Sequence, residues 1–259
     1  MSLTSPDEML RVDPDPIRQA RIDLAAAHRL AVFYGFHEGI DNHFTLLVPG
    51  YEDRFFLAPF GLHWSEIQAS DFMIVDLDGT VYEGSGLVEE TAFFIHAPMH
   101  GSARKLRAVL HTHMPYATAL AMLDEPDLVM ASQNALGYRD DVFYDCDYNG
   151  LALDRSEGER MTRALGEKSI LLLRNHGIVT TGSTVAEAFH HLYFFERTAE
   201  VQVLAQSTGQ MIREVPKDIV DMTVEQFKDS THLDGYSRID LHFAALKRML
   251  DRSQPDYAA

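Results

Sequence analysis

Cysteine, long hydrophobic runs and secretion signals are scarce or absent in this sequence. The one cysteine, Cys146, cannot form an internal disulfide, which fits a reducing compartment. The longest apolar run, around Ile170 to Leu173, is far too short to span a bilayer. The first ten residues carry neither the basic stretch nor the apolar stretch of a signal peptide. These absences predict a cytoplasmic protein.

Basic residues are also in short supply, and their scarcity excludes two classes of partner. The chain has 22 Lys and Arg against 39 Asp and Glu, a formal net charge of −17. A surface this acidic repels phosphate backbones and anionic lipid head groups, so we expect neither nucleic acid nor membrane as a partner. With 259 residues, 46% of them hydrophobic, the chain can bury a sizeable core without a structural metal.

The order of helical and strand patterns changes along the chain. Residues 1–15 predict an extended arm, and apolar residues at helical spacing predict a helix from Pro16 to Gly35. Short β-prone runs bounded by Pro49-Gly50 and Asp78-Gly79 then predict antiparallel strands joined by tight turns. Further on, strands and helices alternate. The predicted strands span 43–48, 55–58, 72–75, 108–113, 170–174 and 178–180, and the predicted helices 91–100, 156–165 and 185–205, with weaker helical patterns at 224–229 and 237–250.

No composition break, linker or repeat divides the chain. We therefore predict one α/β domain over residues 16–208, with helices on the faces of a central sheet, and a C-terminal helical appendage over residues 209–259. The helix at 185–205 carries apolar residues on more than one face. Part of it should be buried by another subunit or by the C-terminal helices.

Two of the thirteen histidines stand out by their spacing. His111 and His113 project from the same face of a predicted strand, about 6–7 Å apart at Cα, from where two imidazoles can bind one cation. Because two ligands rarely suffice, a third is expected, and His176 ends an apolar run at a strand end, where sites in α/β sheets are usually built. The simpler alternative is a polar strand end. Buried Val109 and Leu110 leading into two imidazoles make that alternative unattractive.

Five segments closely resemble the class II aldolase/adducin family. They are DNHFTLLVPG, FFLAPFGLHWSEI, DFMIVDLDGTVYEG, AVLHTHMPYATAL and ILLLRNHGIVTTGSTVAEAFHHLYFFERTAEVQ. The resemblance covers roughly residues 16–208 in unbroken order. It implies a three-layer α/β/α fold with a mainly antiparallel central sheet, a homotetramer with sites at subunit interfaces, and a divalent metal held by His111, His113 and His176.

This ligand set predicts catalysis. Three neutral imidazoles leave a divalent ion with a positive charge and an open position, as in catalytic sites. Such an ion can stabilise the enediolate left when a carbon–carbon bond breaks, or when a carboxylate leaves as carbon dioxide. Zinc fits three histidines best, with manganese and iron as alternatives. Adducin-like members without activity typically lack the full set, so the resemblance implies an enzyme.

The chain departs from the sugar-phosphate aldolases of this family in both phosphate motifs. Those enzymes carry Ser-Ser-Glu, three residues and a histidine, with the serines on the substrate phosphate and the glutamate as acid/base. Anchored on His96, this chain has Glu90-Thr91-Ala92 there, so alanine replaces the glutamate. The second motif, Thr-x-Gly-Asn, matches residues 39–42, where Asp41 replaces the glycine. Carboxylates at these positions would repel a phosphate dianion, so we expect an unphosphorylated substrate.

Three further positions are candidate site residues. Glu90 is the predicted catalytic acid/base, displaced by two residues from the family position; a helix-terminal acid and a charged wall for a cationic substrate are the alternatives. Asn42 and Gly61 match substrate-loop positions of the family, with ordinary turn chemistry as the alternative. His96 and His100, four residues apart on one helix face, are expected to form structural hydrogen bonds rather than to bind the metal.

These inferences predict a metal-dependent lyase that cleaves a carbon–carbon bond of a small, unphosphorylated hydroxy-carbonyl compound. One alternative is a metal-dependent decarboxylase of a hydroxy-carboxylate on the same fold. Another is a non-catalytic adducin-like interaction module. The sequence does not identify the substrate, because loops and a neighbouring subunit shape the pocket.

Overall fold

The computed structural model describes residues 5, 9–10, 12–104 and 106–259, so positions 1–4, 6–8 and 11 of the predicted arm lie outside it. The described residues form one central sheet of eight strands and a separate two-stranded ribbon. The strands of the central sheet are β1 (His43–Leu47), β2 (Arg54–Leu57), β3 (Met73–Asp76), β4 (Val81–Glu83), β5 (Ala108–Thr112), β6 (Val142–Asp145), β7 (Ile170–Leu173) and β8 (Gly177–Gly182). The ribbon is β9 (His232–Leu233) with β10 (Tyr236–Ser237).

The sheet order is β4-β3-β2-β1-β5-β8-β7-β6. Neighbouring strands are antiparallel except β6 and β7, which are parallel. The predicted turn at Asp78-Gly79 joins β3 to β4, with φ of 89° at Gly79, a value that favours glycine. The mainly antiparallel central sheet expected from the resemblance is confirmed.

Helices cover both faces of this sheet. They are α1 (Pro16–Tyr34), α2 (Glu90–Gly101), α3 (Pro115–Ala121), α4 (Gln133–Leu136), α5 (Arg155–Leu165), α6 (Val185–Ser207), α7 (Lys217–Asp229) and α8 (Arg238–Ser253). Helix α1 begins after Asp15, whose side chain accepts a hydrogen bond from the Ile17 N–H, and ends at Gly35 with φ of 73°. None of the helices in the described part of the chain is long and apolar enough to cross a membrane.

Two hydrophobic cores lie on opposite sides of the sheet. Leu110 of β5 belongs to the core beneath α1, α3, α6 and α8, whereas its neighbour Val109 belongs to the core beneath α2 and α5. Successive strand side chains point to opposite faces of the sheet. Because helices cover both faces, Val109 and Leu110 are both fully buried. The predicted three-layer α/β/α fold is therefore confirmed.

Helices α2 and α5 approach each other too closely for a side chain at one crossing point. A Cβ at Gly158 of α5 would lie 2.0 Å from the carbonyl oxygen of Phe94 in α2. Glycine is therefore required there despite its low helix propensity. This contact holds α2 close to α5, and the first turn of α2 borders the site described below.

The C-terminal helix α8 covers part of α6. The rings of Phe189 and Phe243 lie 5.9 Å apart, and Lys247 of α8 forms a 2.6 Å ion pair with Asp23 of α1. One of the two coverings expected for the apolar helix at 185–205 is thus present within the chain. The boundaries of the predicted arm and appendage stay predictions.

Candidate metal centre

The sheet register brings one end of three strands together. Strands β1 and β8 run antiparallel to β5 on either side of it, so the beginnings of β1 and β8 lie beside the end of β5. His43 is directly opposite His111, and Thr112 is opposite Ile178. His113, just beyond β5, and His176, just before β8, therefore meet at the same end of the sheet.

Three histidines converge at this end. One side-chain nitrogen from each of His111, His113 and His176 lies within 4.8 Å of the other two. Gly177, the residue after His176, permits the approach, because a Cβ there would lie 2.5 Å from the Thr112 carbonyl oxygen and 2.8 Å from Cδ2 of His113. The structure thus brings together the three predicted ligands.

Hydrogen bonds at Nδ1 orient two of these rings. His111 Nδ1 donates to the carbonyl oxygen of Ile178 at 2.9 Å, and His113 Nδ1 donates to Glu38 Oε2 at 2.7 Å. Each ring then carries its lone pair on Nε2. The Nε2 of His113 is buried and has no hydrogen-bond partner among the described residues. Ligand histidines at metal sites are held in this way, with the other ring nitrogen bonded to a carboxylate or a carbonyl.

Burial keeps two of the rings in the neutral form that a metal requires. Loss of hydration lowers the pKa of His111 well below its usual value, and the neighbouring His176 lowers it further. Burial and the nearby His113 lower the pKa of His176 to about 4. At neutral pH both are free bases, and three imidazoles with an orphaned Nε2 fit a divalent ion such as zinc.

A cavity of about 600 Å³ opens over the three histidines. Among the described residues that line it, Glu38, Asp41 and Glu89 are acidic and none is Lys or Arg. The rest of the wall is largely apolar, with Leu57, Pro59, Phe60, Leu62, Trp64, Ile67, Ile95 and Leu151. The protein therefore surrounds the cluster with negative charge and apolar surface.

The predicted substrate-loop residues lie at or beside this cavity. Asn42 lines it, is buried, and has φ of 72°; its Oδ1 accepts a hydrogen bond from the His113 N–H at 3.2 Å. Gly61, with φ of 104°, is exposed in the loop after β2, between two lining residues, Phe60 and Leu62. Asn42 thus has a structural function at the predicted metal ligand as well as access to the cavity.

Glu90 and its neighbour Glu89 have different environments in the structure. Glu90 is exposed on the first turn of α2 and is not among the residues that line the cavity, so the catalytic role predicted for it stays a prediction. Glu89 lines the cavity and caps α2, with Oε2 accepting hydrogen bonds from Ala92 N at 2.6 Å and Thr91 Oγ1 at 2.7 Å. Partial burial opposes ionisation, but these hydrogen bonds outweigh it and lower the pKa of Glu89.

Sequence reasoning did not find His43, which lines the cavity beside the cluster. Its ring centroid lies 5.3 Å from that of His111, and its Nε2 lies 3.6 Å from Glu89 Oε2. Burial lowers the pKa of His43 to about 3, so the ring is neutral at neutral pH. The sequence does show polar residues alternating as His-x-Thr at the start of β1. This alternation indicates a site only once the pairing of β1 with β5 is known.

His96 and His100 form the structural hydrogen bonds expected of them. Both rings are fully buried on α2 and bond to the Thr45 hydroxyl, at 2.6 Å and 2.8 Å. His96 also bonds to His43, and His100 to the carbonyl oxygen of Leu106. Neither belongs to the metal-ligand cluster found among the described residues.

The fold and the cluster define a class: three-layer α/β/α proteins with three converging histidines at the end of an antiparallel sheet. The family model described as "Class II Aldolase and Adducin N-terminal domain" matches residues 22–203. The chain belongs to this family.

Three relatives are similar to this chain over most of its length. An aldolase II superfamily protein from Pseudomonas syringae is 35% identical, with a TM-score of 0.86 over 96% of this chain and 98% of that one. L-fuculose 1-phosphate aldolase from Glaciozyma antarctica has a TM-score of 0.81 at 23% identity, covering 98% and 99% of the two chains, which shows the shared fold alone. Mouse alpha-adducin is 30% identical over 249 residues, which cover 89% of this chain and 33% of adducin.

Proposed function

We propose that this chain is a metal-dependent lyase that breaks a carbon–carbon bond of a small, unphosphorylated hydroxy-carbonyl compound. The observation that carries the proposal is the cluster of His111, His113 and His176, with the unpaired Nε2 of His113, on the wall of a cavity of about 600 Å³. A divalent ion bound there, zinc by its donor set, would act as a Lewis acid that polarises the substrate carbonyl and stabilises the charge developing as the bond breaks.

The surrounding residues hold the cluster and handle the proton. Glu38 and the Ile178 carbonyl fix the His113 and His111 rings, and Asn42 holds the His113 backbone. Retro-aldol cleavage takes a proton from the hydroxyl of the carbon that becomes an aldehyde, while the electrons of the broken bond pass to the carbonyl fragment. We assign Glu89 rather than Glu90 to accept that proton, because Glu89 is the one that lines the cavity.

The cavity wall supports an unphosphorylated substrate. Glu38, Asp41 and Glu89 line the cavity, and no Lys or Arg among the described residues does, so its wall repels an anion. The Nδ2 of Asn42 makes no hydrogen bond among the described residues and is a proposed donor to a substrate oxygen. The backbone at Gly61 is the proposed second contact, since nothing lies within 4 Å of the position of a Cβ there.

We further propose that the protein is a homotetramer with its sites at subunit interfaces. Phe60, Tyr148 and Leu151 line the cavity and yet expose 37%, 52% and 72% of their surface. Leu87 adds a further exposed apolar side chain, bridged to Phe60 through the backbone. Apolar side chains grouped around a site in this way suit a protein contact.

The assembly is expected to be visible in solution. Light scattering on purified protein at micromolar concentration should give four times the chain mass of 29.2 kDa. Leu151→Glu, which places a charge in the proposed contact, should shift the mass towards smaller species. A wild-type monomer at that concentration would remove the interface from the proposal.

Zinc-loaded protein is expected to release an aldehyde from at least one unphosphorylated aldol, without release of carbon dioxide. The panel should contain ketoses, aldol products of hydroxyacetone and dihydroxyacetone, and hydroxy-carboxylates. Chelation should abolish turnover and added zinc should restore it, because the Lewis acid is needed for charge development.

The same panel separates the alternatives. Carbon dioxide released from a hydroxy-carboxylate would assign a decarboxylase. The apolar wall around Leu57 and Phe60 would accommodate the aromatic ring of such a substrate. Metal-loaded protein that turns over no member of the panel would contradict the lyase and favour the interaction module.

A further inference from the structure

A continuous chain of hydrogen bonds runs from the cavity wall into the core beneath α2. His43 Nδ1 lies 3.2 Å from His96 Nε2, and His96 Nδ1 lies 2.6 Å from Thr45 Oγ1. Thr45 Oγ1 lies 2.8 Å from His100 Nε2, and His100 Nδ1 lies 2.7 Å from the carbonyl oxygen of Leu106. All four side chains are buried, so water does not compete for these bonds.

The far end of the chain sets the direction of every bond in it. The Leu106 carbonyl can only accept, so His100 carries its proton on Nδ1 and presents a bare Nε2. The Thr45 hydroxyl then donates to the bare His100 Nε2 at 2.8 Å rather than to the more distant Val109 carbonyl oxygen at 3.4 Å, and it accepts from His96 Nδ1. His96 in turn presents a bare Nε2 to His43, so His43 donates from Nδ1. Each neutral imidazole has one N–H, which leaves His43 with a lone pair on Nε2.

Reversing the direction of these hydrogen bonds would be less favourable in free energy. It would place two lone pairs face to face at 2.7 Å between His100 Nδ1 and the Leu106 carbonyl, in a fully buried position. The observed direction instead leaves the lone pair of His43 Nε2 opposite the Glu89 carboxylate at 3.6 Å, beside the open cavity. An acceptor pair of this kind is stabilised when a hydroxyl group enters and donates to it.

We propose that His43 is a substrate-binding residue whose Nε2 accepts a hydrogen bond from a hydroxyl group next to the substrate carbonyl. The inference rests on the lyase proposed above and adds a requirement to it: a substrate with a hydroxyl group on the carbon next to its carbonyl. His96, Thr45 and His100 are positioning residues, because they act only by fixing the tautomer of His43. The bare Nε2 and Glu89 together form a surface that accepts hydrogen bonds and donates none.

Two hydroxamates that differ by one hydroxyl test this requirement on the zinc-loaded protein. Glycolohydroxamate and acetohydroxamate both chelate divalent ions, but only the first carries a neighbouring hydroxyl. Calorimetry should show that the wild-type protein binds glycolohydroxamate about three- to tenfold more tightly, the value of one hydrogen bond. His43→Asn keeps an amide near Nδ1 and removes the acceptor at Nε2, so it should bind the two equally and leave the affinity for acetohydroxamate unchanged.

Thr45→Val and Thr45→Ser form a matched pair for the positioning chain. Valine keeps the size of threonine but breaks the chain, so His96 can donate to His43 from Nε2 and His43 can turn its own N–H towards Glu89. The preference for glycolohydroxamate should disappear with valine and persist with serine. Neutron diffraction should show hydrogen on His43 Nδ1 in the wild type and on Nε2 in Thr45→Val, a change that a merely structural role would not produce.

The outcomes separate this inference from the lyase. If neither hydroxamate binds the zinc-loaded wild type, the bound ion has no position open to a substrate and the proposed lyase fails. If both bind equally to the wild type, or if the preference survives in His43→Asn, the metal site stands and the role of His43 is wrong. Hydrogen on Nε2 of His43 in the wild type would also overturn the inference.

Discussion

Replacing His113 by alanine is expected to abolish retention of a divalent ion by the purified protein. The buried Nε2 of His113 has no other partner among the described residues, and its ring is held in place by Glu38. Without it, His111 and His176 leave a site of two ligands. Since loss of an outer partner of a ligand already weakens binding about 10- to 100-fold, loss of the ligand itself should weaken it by more.

Metal content per chain, measured after dialysis, checks this expectation. His232→Ala is the matched control, because it removes an exposed histidine on β9, outside the cluster, and should keep one ion per chain. Glu38→Gln should fall between the two, since the ring keeps an acceptor but loses the charge. Circular dichroism and the melting temperature without metal should match the wild type for all three variants, because none of the three substituted side chains belongs to a hydrophobic core. One full equivalent of metal in His113→Ala would show that the ligand assignment is wrong.

Strand periodicity accounts for the part of the site that the sequence could predict. Alternation of side chains in β5 places His111 and His113 on one face, and Gly177 after His176 marks the close approach that brings the third ring in. These features are local, and they survive small errors in strand boundaries. The i, i+4 spacing of His96 and His100 is equally local, and both rings do reach the same hydroxyl of Thr45.

Residues whose role depends on register could not be predicted. His43 lies beside the three histidines only because it pairs with His111, a residue 68 positions later, and no periodicity specifies that register. The different environments of Glu89 and Glu90 have a similar cause at smaller scale. Glu89 is the N-cap of α2 and has extended backbone, so its side chain turns back to accept the Ala92 N–H and lines the cavity, while Glu90, the first helical residue, is exposed.

The zinc-loaded protein is expected to bind glycolohydroxamate about a hundredfold more tightly than phosphoglycolohydroxamate, given repulsion of the phosphate by the carboxylates of the cavity. Asp41 and Glu89 line the space, and no Lys or Arg among the described residues does. The third lining carboxylate, Glu38, is paired with His113 and is left out of the calculation. A dianion about 8 Å from one carboxylate is repelled by about 1–2 kcal/mol at a dielectric constant between those of water and protein, so two carboxylates give about this ratio.

Single substitutions show how much each acidic residue contributes to the repulsion of the phosphorylated compound. Asp41→Asn should improve binding of the phosphorylated compound about two- to fivefold, because Asp41 lines the cavity but is exposed and partly screened by water. It should leave glycolohydroxamate unchanged, because only the dianion is repelled by the charge that is removed. Glu90→Gln is the matched control: its side chain is exposed and outside the lining of the cavity, so water and salt screen it and we expect less than about a twofold change. Binding and turnover must be measured separately, because a residue that repels phosphate can also take part in proton transfer.

Equal or tighter binding of the phosphorylated compound by the unmodified protein would contradict the expectation. A complex with the phosphate held between Asn42 and Gly61 would then show that Asp41 turns away from the ligand and that cationic groups reach the site from outside the described chain. The unphosphorylated substrate would have to be abandoned, and cleavage of a sugar phosphate would become the better assignment. The three-histidine metal site would stand in either case, because its geometry does not depend on the charge of the substrate.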